Sequence, residues 1–311
     1  MNGKIICRAK FGRGTGLGNR LFPWARCKVF AHLHPDVQMI TPIWMRLAIG
    51  QLLRGGVDYG NYHKQLILFG LFQREISELG LIRGFLETKD AKSIDEPDKL
   101  DNPLQDLSDG SKVLITFKGW KTFFEKLNGW NDFLLQELRN STRKKYLKMV
   151  DNISDVPIGI CVRCGNDFKE PTNTDYQPIG PLDKTPLKWY INCLQLIRKS
   201  VGYNAHAYVV SDGTRKQLHE LLEMDNVTFV RPGSAITDLL ILSKANVLLV
   251  PGASSFAAWA SYFGQMPTIS HPGQPVASTW RIIPQKGQFI GELNPDNPDV
   301  LFLDQIKNMK L

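Results

Sequence analysis

Short, wholly apolar runs alternate with longer stretches of helical spacing through the second half of the chain. Pro157 to Val162, Ala205 to Val210, Val227 to Val230 and Val247 to Val250 carry almost no polar residue, which is the pattern of strands buried on both faces. Between them, Leu187 to Ser200 places Tyr190, Cys193, Leu194 and Ile197 on one helical face. Arg215 to Glu223, Thr237 to Ala245 and Ser254 to Phe263 also read as helices. Strand and helix in alternation predict a doubly wound α/β domain with a parallel sheet. Ligands of such sheets bind beyond the carboxyl ends of the strands.

The first half is less regular. Lys4 to Cys7, Val37 to Ile40 and Val113 to Phe117 read as strands, and Pro23 to Ala31 as a helix. Ile43 to Leu86 is a long apolar and basic region. Ser93 to Gly110, rich in Asp, Pro and Asn, reads as an exposed loop. Helical material fills Thr122 to Lys148, and its basic run Arg143 to Lys148 reads as a solvated face. Asp151 to Asp155 is a polar linker. The expected organisation is therefore an N-terminal domain over 1–152, a doubly wound C-terminal domain over 153–290, and a tail over 291–311. A terminal helix in that tail, from Asp299, is expected to pack back on the first domain.

One loop carries chemistry. Gly12-Arg13-Gly14-Thr15-Gly16-Leu17-Gly18-Asn19-Arg20 lies between the first strand and the first helix. Glycine admits positive φ and close approach of a ligand to the main chain, and the N–H groups of the next helix can receive an anion. A Walker loop would need Lys-Ser or Lys-Thr after its last glycine, where this chain has Asn19-Arg20. A dinucleotide fingerprint would need a third glycine where Asn19 stands. Its ribose-binding acid would be Asp36, which precedes a strand when it should end one.

Length, charge and cysteine content narrow the class. A chain of 311 residues suits two domains. The net charge of +8 suits an anionic ligand such as a sugar nucleotide, or peripheral contact with an anionic membrane surface. No nucleic-acid-binding module stands out, so no nucleic acid is expected. No signal peptide or membrane-spanning run is legible, and five cysteines without framework spacing fit a reducing compartment. A cytoplasmic enzyme of bacterial or viral type is expected, and the sequons at Asn140, Asn152 and Asn226 are then unused. Cys161-Val162-Arg163-Cys164 is a C-x-x-C, but Gly165-Asn166 follow it where a redox pair would open a helix. A zinc site would need a second pair.

Gly16-Leu17-Gly18-Asn19-Arg20-Leu21-Phe22 resembles the opening Gly-Leu-Gly-Asn-Gln-Met/Leu-Phe of the α-1,2-fucosyltransferases and related inverting GDP-fucose enzymes. Later segments follow in that family's order. Ile160 to Asn166 falls where it carries His-Val-Arg-Arg-Gly-Asp, and Tyr208 to Gly213 looks like its Phe-Ser-Asp-Asp segment. Asp238 to Ser243 is similar to its Asp-Leu-x-Leu-Met-Ser block, and Ala253 to Ala260 to its Asn-Ser-Ser-Phe-Ser-Trp-Trp-Ala.

The resemblance implies a GT-B architecture, two Rossmann-like domains with the active site in the cleft between them. It implies inverting transfer of fucose from GDP-fucose to a glycan hydroxyl, with no metal and no cofactor beyond the donor, in surface polysaccharide synthesis. Arg163 falls on the family's essential arginine. Asp212, Asp238, Ser254, Ser255 and Phe256 join it as nucleotide-sugar-binding residues. Gly16, Gly18, Asn19 and Arg20 would serve the acceptor. Apart from the resemblance, inversion calls for a base near the acceptor hydroxyl, for which Asp167 and then Glu170 are the candidates, with ordinary loop charges as the other reading of both. An arginine fork is the natural counter-charge for a departing diphosphate where no metal acts.

Cys161 stands in place of the family histidine, Cys164 of its second arginine, and Asn166 of its aspartate. These departures leave open another GDP- or UDP-sugar as donor, and a catalytically inactive sugar-nucleotide or glycan binder. The glycine loop leaves open an NAD-linked oxidoreductase.

Overall fold

The computed structural model describes residues 4–12, 15–44, 71–101, 111–120, 122–165, 168–171, 176–231, 233–307 and 309. They fall into two compact units, one within 1–49 and 66–144 and the other within 145–311.

In the first unit, strands β1 (Ile5–Lys10), β2 (Val37–Met39), β3 (Lys92–Asp95) and β4 (Val113–Lys118) form one parallel sheet of order β2-β1-β4-β3. β3 runs into the stretch expected to be a loop, which opens at Ser93. It pairs along β4, with Ile94 opposite Ile115, and a polar strand at a sheet edge needs no apolar signature.

Helix α1 (Leu17–Leu33) follows β1 and is buried on almost every side. It starts six residues before the expected Pro23. Gly16 takes the extended N-cap conformation, and Leu17, Leu21 and Phe22 already face the core, so burial outweighs the proline signal. Pro23 then sits inside the helix with no N–H to give the Asn19 carbonyl. The described residues of the unit also include helices α2 (Leu81–Thr88) and α3 (Asn131–Ser141). The expected helix over Thr122 to Lys148 is broken. Thr142 is extended and bridges Phe72, which separates α3 from α4 (Lys144–Asp151). Most of the apolar-basic region after Ile43 lies outside the described residues.

A charged cluster is built into this unit. Lys28 Nζ on α1 lies 2.7 Å from Glu75, 3.1 Å from Glu78 and 3.0 Å from Glu137, all largely shielded from water. Three carboxylates share one ammonium there. Burial pushes the Glu75 carboxyl up to about 7, against the pull of Lys28. The same carboxylates raise the Lys28 value despite its own desolvation.

The second unit follows the predicted alternation closely. Its elements are β5 (Val156–Val162), α5 (Leu187–Val201), β6 (Ala207–Ser211), α6 (His219–Leu222), β7 (Val227–Phe229), α7 (Ala235–Leu242), β8 (Ala245–Val250), α8 (Ser255–Gly264), β9 (Thr268–Ser270), α9 (Val276–Trp280), β10 (Ile290–Glu292) and α10 (Val300–Lys307). All six strands are parallel, in the order β10-β9-β8-β5-β6-β7. The chain runs outward from β5 to β7, then returns to place β8 on the other side of β5. The strand order therefore reverses between β5 and β8.

β5 is buried along its whole length. Gly159 lets it pack closely, because a Cβ there would come 2.9 Å from Ala245 Cβ and 3.1 Å from a Leu248 methyl. On one face, Trp189, Tyr190, Leu194 and Ile197 of α5 join Phe302 and Ile306 of α10 in a single core. The terminal helix thus buries Phe302 and Ile306 against α5 of its own unit. α6 is shorter than expected, since 215–218 form turns.

Candidate functional site

The carboxyl ends of all six parallel strands share one edge of the second sheet, and the residues of interest lie in the loops there, about the point where the strand order reverses. That is the general ligand position in open α/β sheets. Arg163 follows the last residue of β5. Its Nη1 lies 3.0 Å from Asp212 Oδ2 at the end of β6, with side chains 28% and 5% exposed respectively. The other oxygen, Asp212 Oδ1, accepts the Cys164 N–H at 2.7 Å. The guanidinium also lies 5.5 Å from the centre of the Phe168 ring. Asp212 is therefore a bracket for the Arg163 loop, and Arg163 is the partner that reaches towards solvent.

The two cysteines beside Arg163 are free thiols. Burial pushes Cys161 up to about 12, although Arg163 opposes it, and the charges of Asp212 and Asp238 add to the rise. Burial and then Asp212 raise Cys164 as well. Neutral thiols are poor nucleophiles and poor metal ligands. Among the described residues, no group of three His, Cys, Asp or Glu is placed to hold a metal ion.

β7 leads into α7 through Arg231 and Gly233. Ser234 caps α7 in a capping box: its Oγ accepts the Thr237 N–H at 3.2 Å, and Thr237 Oγ1 accepts the Ser234 N–H at 2.6 Å. The helix is thus capped by Ser234, with Asp238 one turn in. Asp238 is fully buried, and its Oδ1 would lie 2.0 Å from a Cβ at position 233, so only glycine fits there. Its carboxylate also faces the end of β5 closely enough to act on Cys161.

β8 leads into α8 through Gly252 and Ser254. Ser254 Oγ accepts the Ala257 N–H at 3.3 Å, so its hydroxyl is used as the helix cap. Ser255 and Phe256 stand ahead of it, half-exposed, and the N–H groups of a first helical turn have no acceptor within the helix. Such an end attracts anions. It lies on β8, the strand beside β5, at the same edge as Arg163.

Of the other expected residues, Glu170 is exposed and ion-paired with Lys184. Asp167 lies outside the described residues, as do Arg13, Gly14 and Asn166. Gly16, Gly18, Asn19 and Arg20 belong to the first unit. Gly16 is the N-cap of α1 and faces open space, while Gly18 and Asn19 are in its first turn. Arg20 is buried and braces the loop: its Nε donates to the Thr15 carbonyl at 3.0 Å, and its guanidinium lies 5.3 Å from the Phe11 ring centre.

Two residues emerge only from the structure. Arg231 Nη2 donates to the Ser211 carbonyl at 2.6 Å, and its guanidinium lies 4.2 Å from the Phe229 ring centre. It also borders a cavity of about 250 Å³ with Phe229, Thr237 and Ile241. A Val-Arg-Pro-Gly exit from a strand was the available signal. The other is Gln274, buried after β9.

No family profile and no curated protein matches this chain. Among solved structures, it is similar to the fucosyltransferase NodZ from Bradyrhizobium, with 15% identity, 83% of this chain and 93% of that one covered, and a TM-score of 0.46. It is similar to NodZ alpha-1,6-fucosyltransferase soaked with GDP-fucose, with 13% identity, coverage of 85% and 94%, and a TM-score of 0.48. It is similar to POFUT1 in complex with GDP-fucose, with 13% identity, coverage of 86% and 97%, and a TM-score of 0.44.

Proposed function

We propose that this protein is an inverting, metal-independent glycosyltransferase that moves a deoxyhexose, fucose from GDP-fucose, onto a glycan hydroxyl of a surface polysaccharide. The observation that carries this reading is Arg163. It is pinned by Asp212 where the strand order reverses, beside the strand that leads into the open N-terminus of α8.

The chemistry follows from charge. Breaking the bond between the sugar and the diphosphate leaves negative charge on the departing oxygen and positive character on the sugar. Arg163 meets the first with a planar fork of donors, and the Ser255 and Phe256 amides add a fixed positive end. Asp212 keeps the fork oriented, so little reorganisation is needed as the charge develops. Asp238, buried one turn into α7, is the group assigned to the nucleobase. Ser254 supports the site as the cap of α8.

The acceptor is assigned to the loop of the first unit at Gly16, Gly18 and Asn19, with Arg20 as its brace. A carboxylate of the β5–α5 segment takes the acceptor proton, Asp167 or Glu170. Glu170 must then leave Lys184 to do so. Wild-type rates in both Asp167→Asn and Glu170→Gln would remove that step. No helix among the described residues is long and apolar enough to cross a membrane, and contact with a membrane surface would rest on the net charge of +8.

The test is a calorimetric titration with GDP, GDP-fucose, UDP-sugars and NADH, followed by transfer assays over a panel of glycans. Selective GDP-fucose binding with turnover supports the reading, and NADH binding alone sinks it. The neutral Cys161 and Cys164 favour a second reading, a sugar-nucleotide binder without turnover, because neither can supply the positive charge of the family's histidine and second arginine. Donor binding with no transfer to any acceptor would select it.

A further inference from the structure

Gln274 is wholly buried, and its amide is saturated by two loops other than its own. Its Oε1 accepts from Thr185 Oγ1 at 2.6 Å and from the Gly252 N–H at 3.4 Å. Its Nε2 donates to the carbonyls of Asp183 at 2.8 Å and Gly180 at 3.2 Å. An amide has two donors and two lone pairs, and all four are used. Burying such a group is favourable only when every partner is present.

Each partner leads to a half of the anion site. Gly252 lies two residues before Ser254. Its N–H goes to Gln274, its carbonyl accepts the Trp280 Nε1–H at 2.9 Å, and a Cβ on it would come 2.4 Å from Gln274 Cβ. The approach to α8 is therefore held from both sides. On the other arm, Gly180 and Asp183 belong to the segment that opens with Arg163. Lys169 N–H donates to the Leu182 carbonyl at 2.9 Å, and Lys184 N–H to the Lys169 carbonyl at 2.7 Å. That pairing anchors the residue next to Phe168, whose ring faces the Arg163 guanidinium. The join is tightened where Ile179 N–H donates to the Pro272 carbonyl at 3.1 Å. There Gly273, at φ +83°, leaves no room for a side chain against Ile179.

We infer that Gln274 is a positioning residue that sets the separation between Arg163 and the N-terminus of α8, and so tunes the site to a diphosphate. This rests on the reading of that site as one for a nucleoside diphosphate. Gln274 touches no substrate and acts through the two loops it joins.

The test is calorimetric titration of the full chain with GDP and with guanosine, on wild type, Gln274→Met, Thr185→Val and Arg163→Ala, with circular dichroism for folding. Gln274→Met keeps length and loses every polar contact, and should weaken GDP on the order of tenfold while leaving guanosine within about twofold. Thr185→Val removes one of the four bonds and should move GDP in the same direction by about threefold. A general loss of packing would lower both ligands together. A folded Gln274→Met with the wild-type ratio of GDP to guanosine affinity overturns the inference. If that variant does not fold, an unchanged ratio in Thr185→Val overturns it. Normal GDP binding by Arg163→Ala sinks the diphosphate reading itself, and a wild type that binds neither ligand overturns both.

Discussion

Arg163 and Asp212 meet at 3.0 Å, Nη1 against Oδ2, at the ends of two adjacent parallel strands. The pair is asymmetric in exposure: the carboxylate is buried and the guanidinium reaches outward. A guanidinium has five N–H donors, so a carboxylate behind it and a phosphate in front can be held at once. The bracket also reaches the main chain, because the second Asp212 oxygen holds the Cys164 amide.

Arg163→Lys keeps the charge and loses the fork. Turnover should fall on the order of 100-fold or more, about 3 kcal/mol, with a smaller loss in donor affinity, because the arginine acts most strongly on the charge of the breaking bond. Steady-state kinetics beside a donor titration separates the two. Near-normal turnover in the lysine variant would mean that Arg163 is a surface or folding residue.

Transfer should persist in excess EDTA. Arg163 and the N-terminus of α8 are the groups assigned to the charge of the departing diphosphate. Abolished activity that magnesium or manganese restores would contradict this leaving-group chemistry.

The Glu75 cluster makes the first unit sensitive to pH. The folded-state value of about 7 lies above the ordinary 4.5, so the fold favours the protonated carboxyl. That stability is full below about 4.5 and is lost as pH rises through about 7. Lys28 is shifted upward, so its own contribution falls away only at strongly alkaline pH. Melting temperatures from pH 5 to 8 should decline in wild type and stay flatter in Glu75→Gln. Parallel curves for the two proteins would exclude Glu75 as the source.

Gly159→Ala places a methyl 2.9 Å from Ala245 Cβ in the middle of the second sheet. Overpacking at such a position costs about 1–3 kcal/mol. The variant should melt several degrees lower, with GDP binding retained below its transition. An unchanged melting point would show that α7 and β8 can shift to admit the methyl.

What could be read from the residues follows from how local each signal is. β5 and β8 are strands buried on both faces, so Ile158 to Val162 and Val247 to Val250 announce themselves as apolar runs. α8 is legible from Ser254 onward because the capping hydroxyl accepts an N–H only three residues further along. β3 is not, since Lys92, Ser93 and Asp95 become a strand only through pairing with β4. α1 starts early because burial of Leu17 and Leu21 outweighs Pro23. Arg163 and Asp238 stand out through their motifs. Gln274 has no local signal at all, since the partners of its side chain lie on Gly180, Asp183, Thr185 and Gly252.

The return of the chain to place β8 beside β5 has a consequence for how the second unit is made. Val156 finds its partner Ala245 only after two strands and three helices have been built between them. Until then β5, the most apolar strand of the sheet, is an open edge during synthesis. A chain halted after β7 would keep Arg163 and Asp212 on paired strands yet expose that edge, which invites aggregation. The last half of the unit therefore covers the open edge of β5 as well as supplying α8.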